Sequence, residues 1–441
     1  MRLQLLAYII LFLRFPFIVL ASNELQYSPE YVDTITGKTL IEIWKQAATT
    51  NPEILTANRR LLEVKALRRQ AAVFPNPELQ INAGTSSILG EPGDQEWGGS
   101  LVQTFELGGK RSKRIRAADL AIEIAVQEVR EKERQVRWEI QQAFGELLLA
   151  AATIHTTQEA LMLNEQSHQI TLARVQQGET AAVEQVVSEV ELSRLRADLA
   201  TLEAEGSRAL SKIIMIAGIT EMVKIRPIHS VPSTGDVNFE TLVSHALSSR
   251  PDFKLATLQV ELSEAEISLS KAEGISDLDT FVEFSNERSA FDQFGIDGSG
   301  NPVPLTDQDN MVSAGISIRL PLFNRNQGNT QAVQARAEAA RIRRGALELK
   351  IHQEVHVALE RLQIAQTNFL MFRDSIMNQS EKQLTVLQTS YRAGEFRFLD
   401  FINEQKRALE IRKSYINSAR EYLVAAAELE FVTADVTGGN Q

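Results

Sequence analysis

Two periodicities alternate along this chain, and the alternation occurs twice. Apolar positions such as Leu147, Leu148, Ile154, Leu161 and Leu163 recur at three- and four-residue spacings, the pattern of a helix with one apolar stripe and coiled-coil-like packing. From about Lys110 to Gln177 there is no proline, the one glycine is Gly145, and Ala, Glu, Arg, Leu and Gln dominate, all strong helix formers. The segment from Gly328 to Ala393 reads the same way. At ~1.5 Å per residue each helix reaches on the order of 100 Å, more than a compact domain needs. A glycine turn follows each one, at Gly178 and Gly394, and a further helix follows each turn, over 180–216 and 396–432. Shorter leading helices are expected over 39–72 and 239–272.

Between leading and long helix the period changes to two. Short alternating runs lie at 78–83, 100–107, 279–285 and 312–320. In the last, Val312, Ala314, Ile316, Ile318 and Leu320 share one face, with Ser313, Ser317 and Arg319 on the other. That is a strand with an apolar and a wet side, the build of an outer-membrane barrel strand. Segments 85–98 and 286–310 are rich in Gly, Ser, Asp, Asn and Pro and read as exposed turns. Trp97 opens the second strand, where an aromatic residue of a membrane interface sits. Four strands cannot close in lipid, where no unpaired edge survives. Two chains give about eight strands and a filled interior, three give about twelve and a lumen; the pattern demands oligomerisation.

The alternation repeats because the sequence does. Asn51-Pro52-Glu53 returns as Arg250-Pro251-Asp252, an offset of 199 (251 − 52), and Gly178-Glu179 returns as Gly394-Glu395, an offset of 216 (394 − 178). A repeat this long is a duplicated half-protein rather than a solenoid unit. The organisation read from it is a signal peptide (1–21), an N-terminal extension (22–38), a first repeat (39–216, hairpin 78–107), a connector (217–238), a second repeat (239–432, hairpin 279–320) and a tail (433–441).

Composition adds limits. The first 21 residues carry Arg2, an apolar run and small residues at the end, as an export signal does. Removing Arg2 and Arg14 moves the net charge from −11 to −13; an acidic chain gives no support to nucleic-acid binding. Cysteine is absent, so the chain has no disulfide, thiolate metal site or sulfur for a lipid anchor.

Several phrases, taken with their order and duplication, resemble the TolC family of outer membrane efflux ducts: Asn51-Pro52-Glu53, Phe74-Pro75-Asn76-Pro77-Glu78-Leu79, Gln103 to Arg111, and Leu320 to Arg325. Pro-Asn-Pro-Glu-Leu and Glu-Leu-Gly-Gly-Lys-Arg look most like the branch serving heavy-metal efflux pumps, although many members of that branch carry a lipid-bearing cysteine this chain lacks. The resemblance covers about 39–433 and implies an α+β membrane protein. Long coiled-coil-like helices would form a periplasmic α-barrel, and four transmembrane strands per chain would join a trimeric twelve-stranded β-barrel. It implies a homotrimer in the outer membrane of a Gram-negative bacterium, contacting outer membrane lipid. A periplasmic adaptor (membrane fusion) protein and an inner-membrane pump of the resistance-nodulation-division type would be its partners.

Residue by residue, the resemblance makes the glycine turns the tunnel's periplasmic tip, where the adaptor would touch helices flanking Gly178 and Gly394. Asp400 and Asn403, six and nine beyond Gly394, then face the lumen, and Tyr391 helps hold the closed tip; Glu184 is six beyond Gly178. Three copies of Asp400 would ring the lumen with carboxylates that favour cations, while the helix dipole alone would also stabilise an acid there. Lys110, Arg111, Lys113, Arg114 and Arg116 follow a membrane strand, where cations meet lipid headgroups at a barrel rim. His352 and His356 are four apart on a helix, a spacing that can hold a metal. Gln353 stands where a metalloprotease needs its base, and the first half has no matching pair, so we read them as a structural or solvent-facing pair. No cofactor and no catalytic grouping is expected. The function expected is a passive exit duct for divalent heavy-metal cations. A drug-efflux or type I secretion duct of the same fold, and a non-conducting periplasmic scaffold, are the alternatives.

Overall fold

The computed structural model describes residues 29, 31–33, 35–85, 94–221, 223–226, 238–392 and 398–434. The signal segment, the tip of the first hairpin loop, most of the connector, the turn containing Gly394 and the C-terminal tail lie outside them. The described chain divides into two compact units.

One unit comprises the chain up to Asn58, Val129–Asp252 and the chain from Leu347. Each leading helix is not single but two, broken at the proline: α1 (Leu40–Thr50) and α2 (Pro52–Ala71), then α5 (Phe239–Ser249) and α6 (Pro251–Glu273). Proline lacks the N–H that would continue the first helix, yet suits the first turn of the next. Asn51 serves both sides of its break. Its N–H donates to Ala47 O, while its Oδ1 accepts from the N–H groups of Glu53 (2.8 Å) and Ile54 (3.0 Å). A reciprocal cap between Thr39 and Glu42 starts α1.

The long helix α3 (Lys110–Gln176) is followed by α4 (Ala182–Ala217). Val136, Ile140, Phe144 and Leu147 of α3 pack on Ile213, Ile216 and Ala217 of α4 and on Ile43, Ala47 and Ile54 of α1 and α2. Val32 and Ile225 close this core, and Ile225 also forms parallel bridges to Val32 and Lys38. Helix α4 stops at Gly218, whose φ of 63° is left-handed and whose N–H caps Ile214 and Met215 carbonyls.

The second long helix is interrupted where α3 is not. α7 (Gln327–Met371) passes through a π turn at Phe372–Ile376 into α8 (Met377–Arg392), and α9 (Phe398–Thr433) follows. Such a turn inserts one residue into the helical ladder. No helix among the described residues is long and apolar enough to cross a membrane.

The second unit, Arg59–Glu128 with Phe253–Ala346, holds the sheet. Strands β1 (Glu78–Thr85), β2 (Gln95–Phe105), β3 (Leu278–Ile296) and β4 (Pro302–Ile318) run antiparallel in the order β1-β2-β3-β4. The hairpins of the two repeats thus pair through β2 and β3. Segment 286–310, expected as a loop, is mostly strand: β3 and β4 continue well past the ends of β1 and β2, with a bulge between Ala290 and Phe294. The second strand begins earlier than expected and encloses Trp97, and Leu320 lies beyond β4.

Candidate functional site

At the first helical turn, Gly178 has φ 75°, and a Cβ there would meet nothing. Glycine is needed for its dihedral angle rather than for space. The N–H groups of Gly178 and Glu179 close the turn onto the Val175 and Arg174 carbonyls. Glu184 follows, half-buried, in the first turn of α4.

Tyr391 ends α8 beside this turn. It is buried, stacked on Phe401 with ring centroids 4.6 Å apart and planes 3° apart. Its hydroxyl lies 3.2 Å from Thr171 Oγ1 of α3. The Arg174 guanidinium lies 5.1 Å from the ring centroid, and its Nη2 donates to the Tyr391 carbonyl at 3.4 Å. Phe398 and Ile402 complete the cluster, with Val187 of α4 packed against it. One phenol therefore joins the helices of both repeats. Asp400 and Asn403 are exposed on the other side of α9 from Phe398, Phe401 and Ile402; three residues apart, they share a face.

In the sheet, cross-strand partners share a side. One side carries Leu79, Ile81, Leu101, Val282, Val312 and Ile316, all exposed in the chain, Ile81 by 79% and Val312 by 72%. Near one end of this band Trp97 tilts against Phe284, and the row to which Trp97 belongs continues through Asn286, whose Nδ2 donates to Asn310 Oδ1 at 2.8 Å. The opposite side is acidic. Glu96, Glu287 and Asp309 occupy one row across three strands, and Glu283, Asp279 and Glu78 stand in further rows. Thr104 donates to Asp279 (2.6 Å), and Ser313 reaches Glu283 (3.5 Å). No lysine or arginine stands on this side among the paired residues of the four strands. Sequence reading missed the Glu96, Glu287 and Asp309 row because all three lay in the segments 85–98 and 286–310, taken for turns, and their mostly polar sequence carried no alternation to mark a strand.

The cations after β2 are largely occupied within the chain. Lys110 pairs with Asp277 (2.7 Å). Arg114 forks onto Glu106 (2.6 and 3.1 Å) and donates to the Ala71 carbonyl. Arg111 donates to the Ala72 carbonyl and covers the Phe74 ring at 4.1 Å. These bonds tie the end of α2, the end of β2 and the start of α3 together, a positioning job the sequence did not disclose. Arg116 is exposed and Lys113 half-buried. His356 lies edge-on to Phe239 and 3.8 Å from Glu360, and Glu354, between the two histidines, is taken by Arg250.

Two polar nodes carried no motif. Arg250, 2% exposed, forks onto Asp252 (2.6 and 3.0 Å), reaches Glu354 (2.6 Å) and donates to the Val432 carbonyl. Burial works against its charge, and the hydrogen bonds and charges of Asp252 and Glu354 outweigh it, raising the guanidinium's pKa. Asn51, its counterpart in the first repeat, donates to the Ile216 carbonyl at 2.6 Å. Both repeats thus tie the proline break to the end of the following hairpin's second helix, one with an amide and one with a guanidinium. In the helices, buried Glu191 pairs with Lys406 (2.7 Å) and Arg194 (2.8 Å). Burial pushes its pKa up, and the hydrogen bonds and charges of Lys406 and Arg194 pull it further down, to a net lowering.

Helices of 67 and 36 residues joined by a glycine turn, and a sheet with one apolar and one acidic side, define the class: the TolC fold. The chain belongs to the outer membrane efflux protein family, whose model matches residues 43–218 and 242–434. It is 23% identical over 387 residues to the cobalt-zinc-cadmium resistance protein CzcC of Cupriavidus metallidurans, covering 87% of each chain. Among solved structures, the outer-membrane channel OprN superposes with a TM-score of 0.73 at 17% identity over 95% of this chain and 96% of that one. CusC does so with a TM-score of 0.72 at 15% identity, over the same shares. The resemblance read from the sequence and the outer-membrane location it implied are both upheld, and these relatives are channels and resistance proteins rather than enzymes.

Proposed function

We propose that three copies of this chain form the exit duct of a tripartite efflux system that passes divalent metal cations. A sheet of four strands with edges at β1 and β4 supports closure by further copies, since lipid tolerates no open edge. Three copies of four strands make about twelve, enough for a lumen. The apolar side of the sheet would then face lipid, with Trp97 and the Asn286 row at its border.

The observation that carries the cargo is the opposite side of the sheet. Acids without a base, repeated by symmetry around a lumen, raise the local concentration of cations and repel anions. Asp400 acts in the same sense at the tip of the helices, the neutral Asn403 on the same face halves the charge a second acid would bring, and Glu184 is the corresponding acid six beyond Gly178. Tyr391, locked on Phe401 and Thr171, holds the resting tip. The helices flanking Gly178 and Gly394 meet a periplasmic adaptor, and an inner-membrane pump of the resistance-nodulation-division type supplies the energy. Trp97, Lys113 and Arg116 meet lipid at the barrel's border. The resistance protein CzcC, similar over most of its length, favours metal cations over drugs or proteins as cargo.

The test is single-channel recording of the purified protein in planar bilayers, with its oligomeric mass measured alongside. Cation-selective openings from a trimer are expected. A protein that neither inserts nor conducts, even after the tip is loosened by Tyr391→Phe, would remove the duct and favour a scaffold.

A further inference from the structure

The apolar side of the sheet carries a single charge among the paired residues of the four strands, and it is Arg288 of β3. Its row takes one residue from each strand: Thr85, Gln95, Arg288 and Gln308. Arg288, Gln95 and Gln308 are exposed, and their side chains have no hydrogen-bond or ionic partner among the described residues. The rows on either side of it hold Ala83, Trp97, Asn286 and Asn310, then Ala290 and Thr306, with no acid. Glu96, Glu287 and Asp309 lie on the other side of the sheet.

The depth of this row follows from the register. The strands join their helices at the end where Leu278 pairs with Phe105 and Ile318. Arg288 is ten residues farther along β3 (288 − 278). At ~3.3 Å per residue and a tilt of roughly 40°, that is about 25 Å across a membrane, the height of a barrel's apolar band. With the helices in the periplasm, the row falls among the headgroups of the outer leaflet. A charge on the lipid side of a barrel is costly at mid-depth and nearly free at the interface. Arg288 stands at the tolerated depth, just past Trp97, a residue type of membrane borders.

The groups in the row select a ligand. A guanidinium is a planar fork of donors that matches phosphate oxygens in pairs. The carboxamides of Gln95 and Gln308 donate and accept at once, which suits sugar hydroxyls. Neighbouring strands are ~4.8 Å apart, so the two glutamines stand about 10 Å apart with Arg288 between them, a row wide enough for a phosphorylated sugar. A free phosphate ion would use the guanidinium and leave both amides and the apolar band idle.

We propose that Gln95, Arg288 and Gln308 bind a phosphorylated, acylated sugar of the outer leaflet, with its phosphate on Arg288 and its acyl chains along Leu101, Val282 and Val312. This rests on the sheet's closing into an outer-membrane barrel, and it names a lipid for the border opposite the one where Lys113 and Arg116 stand.

The experiment is native mass spectrometry of the purified full-length protein in detergent. It is titrated with lipid A (an acylated glucosamine disaccharide bearing two phosphates), with the dephosphorylated form of that lipid, and with inorganic phosphate. Saturable retention of lipid A is expected, and it should survive millimolar inorganic phosphate. Arg288→Gln should weaken it by about fivefold or more, the weight of one cation at a lipid surface, and should not change retention of the dephosphorylated lipid. If Arg288→Gln alters the assembly's mass, Arg288→Lys, which keeps the charge and loses the fork, replaces it and should still weaken retention. Equal retention of the two lipids by the wild type would overturn the proposal. So would unchanged affinity in the Arg288 variants, or displacement by inorganic phosphate. A wild type that conducts in bilayers yet retains no lipid A would overturn this proposal alone, whereas one that neither inserts nor conducts would take the barrel reading with it.

Discussion

Replacing Arg250 with methionine keeps most of the side chain's length and removes its charge. In the folded chain this leaves Asp252 and Glu354 without their main partner and the Val432 carbonyl without a donor. Removing one member of a buried pair costs about 3–5 kcal/mol. The lower end applies, because the carboxylates are 23% and 30% exposed and each keeps a second cation, Arg134 at 3.5 Å and Lys350 at 3.5 Å. A loss of about 3 kcal/mol corresponds to roughly 100-fold in an opening equilibrium. Asn51→Ala removes the corresponding tie in the first repeat, a helix cap and a bond to the Ile216 carbonyl, and should cost about 2 kcal/mol. Hydrogen–deuterium exchange of the intact protein in detergent reads both locally. In Arg250→Met, amides around the α5–α6 break should exchange about 100-fold faster and those around α1–α2 should not change. The converse is expected for Asn51→Ala, by roughly 30-fold. If Arg250→Met left exchange at its own break within about threefold of wild type, the ion-pair reasoning would be refuted. Equal effects at both breaks would refute the independence of the two ties.

Gly218→Ala should destabilise the end of α4 by more than the ~1 kcal/mol of left-handed strain, because the new Cβ would also fall 2.5 Å from the Thr50 carbonyl oxygen; melting of the detergent-solubilised protein checks this. The Glu191 pKa is lowered by its cations, so its contribution is present above the unfolded carboxylate value and is lost as pH falls through the lower folded one. The stability gap between wild type and Glu191→Gln should therefore close below the ordinary carboxylate range, and a gap that is constant from neutral to strongly acid pH would contradict the assignment. Asp400→Ala should reduce cation selectivity and block by multivalent cations in single-channel recordings, whereas unchanged selectivity would place the carboxylate away from the narrowest point. Tyr391→Phe loses the bond to Thr171 but keeps the stack on Phe401, and should raise the open probability less than Tyr391→Ala.

The chain's local order was legible from residues alone. Period-three-and-four stripes gave α3 and α4, glycine gave the turn at Gly178, and alternation in 312–318 gave the end of β4. The duplicated Asn-Pro and Arg-Pro phrases gave the two halves. These are properties of short segments: which residues share a face, and where a φ angle demands glycine. The extension of β3 and β4 was hidden because Gly, Asp and Pro in 286–310 weigh against a strand, and only the ladder from Ser289–Asp307 to Ile296–Pro302 offsets that. The split of each leading helix was hidden differently, since proline permits either a kink or a restart, and the carbonyls of Ile216 and Val432, distant in sequence, help fix the restart. The sequence also set Glu96, Glu287 and Asp309 in their strands, Tyr391 three before a glycine, and Arg288 next to Glu287. Tertiary structure alone decided that the three acids share a row, that Tyr391 stacks on Phe401 against Thr171, and that Arg288 shares a row with Gln95 and Gln308. Periodicity assigns a face, but strand register and helix packing decide what that face meets, and both depend on partners far along the chain.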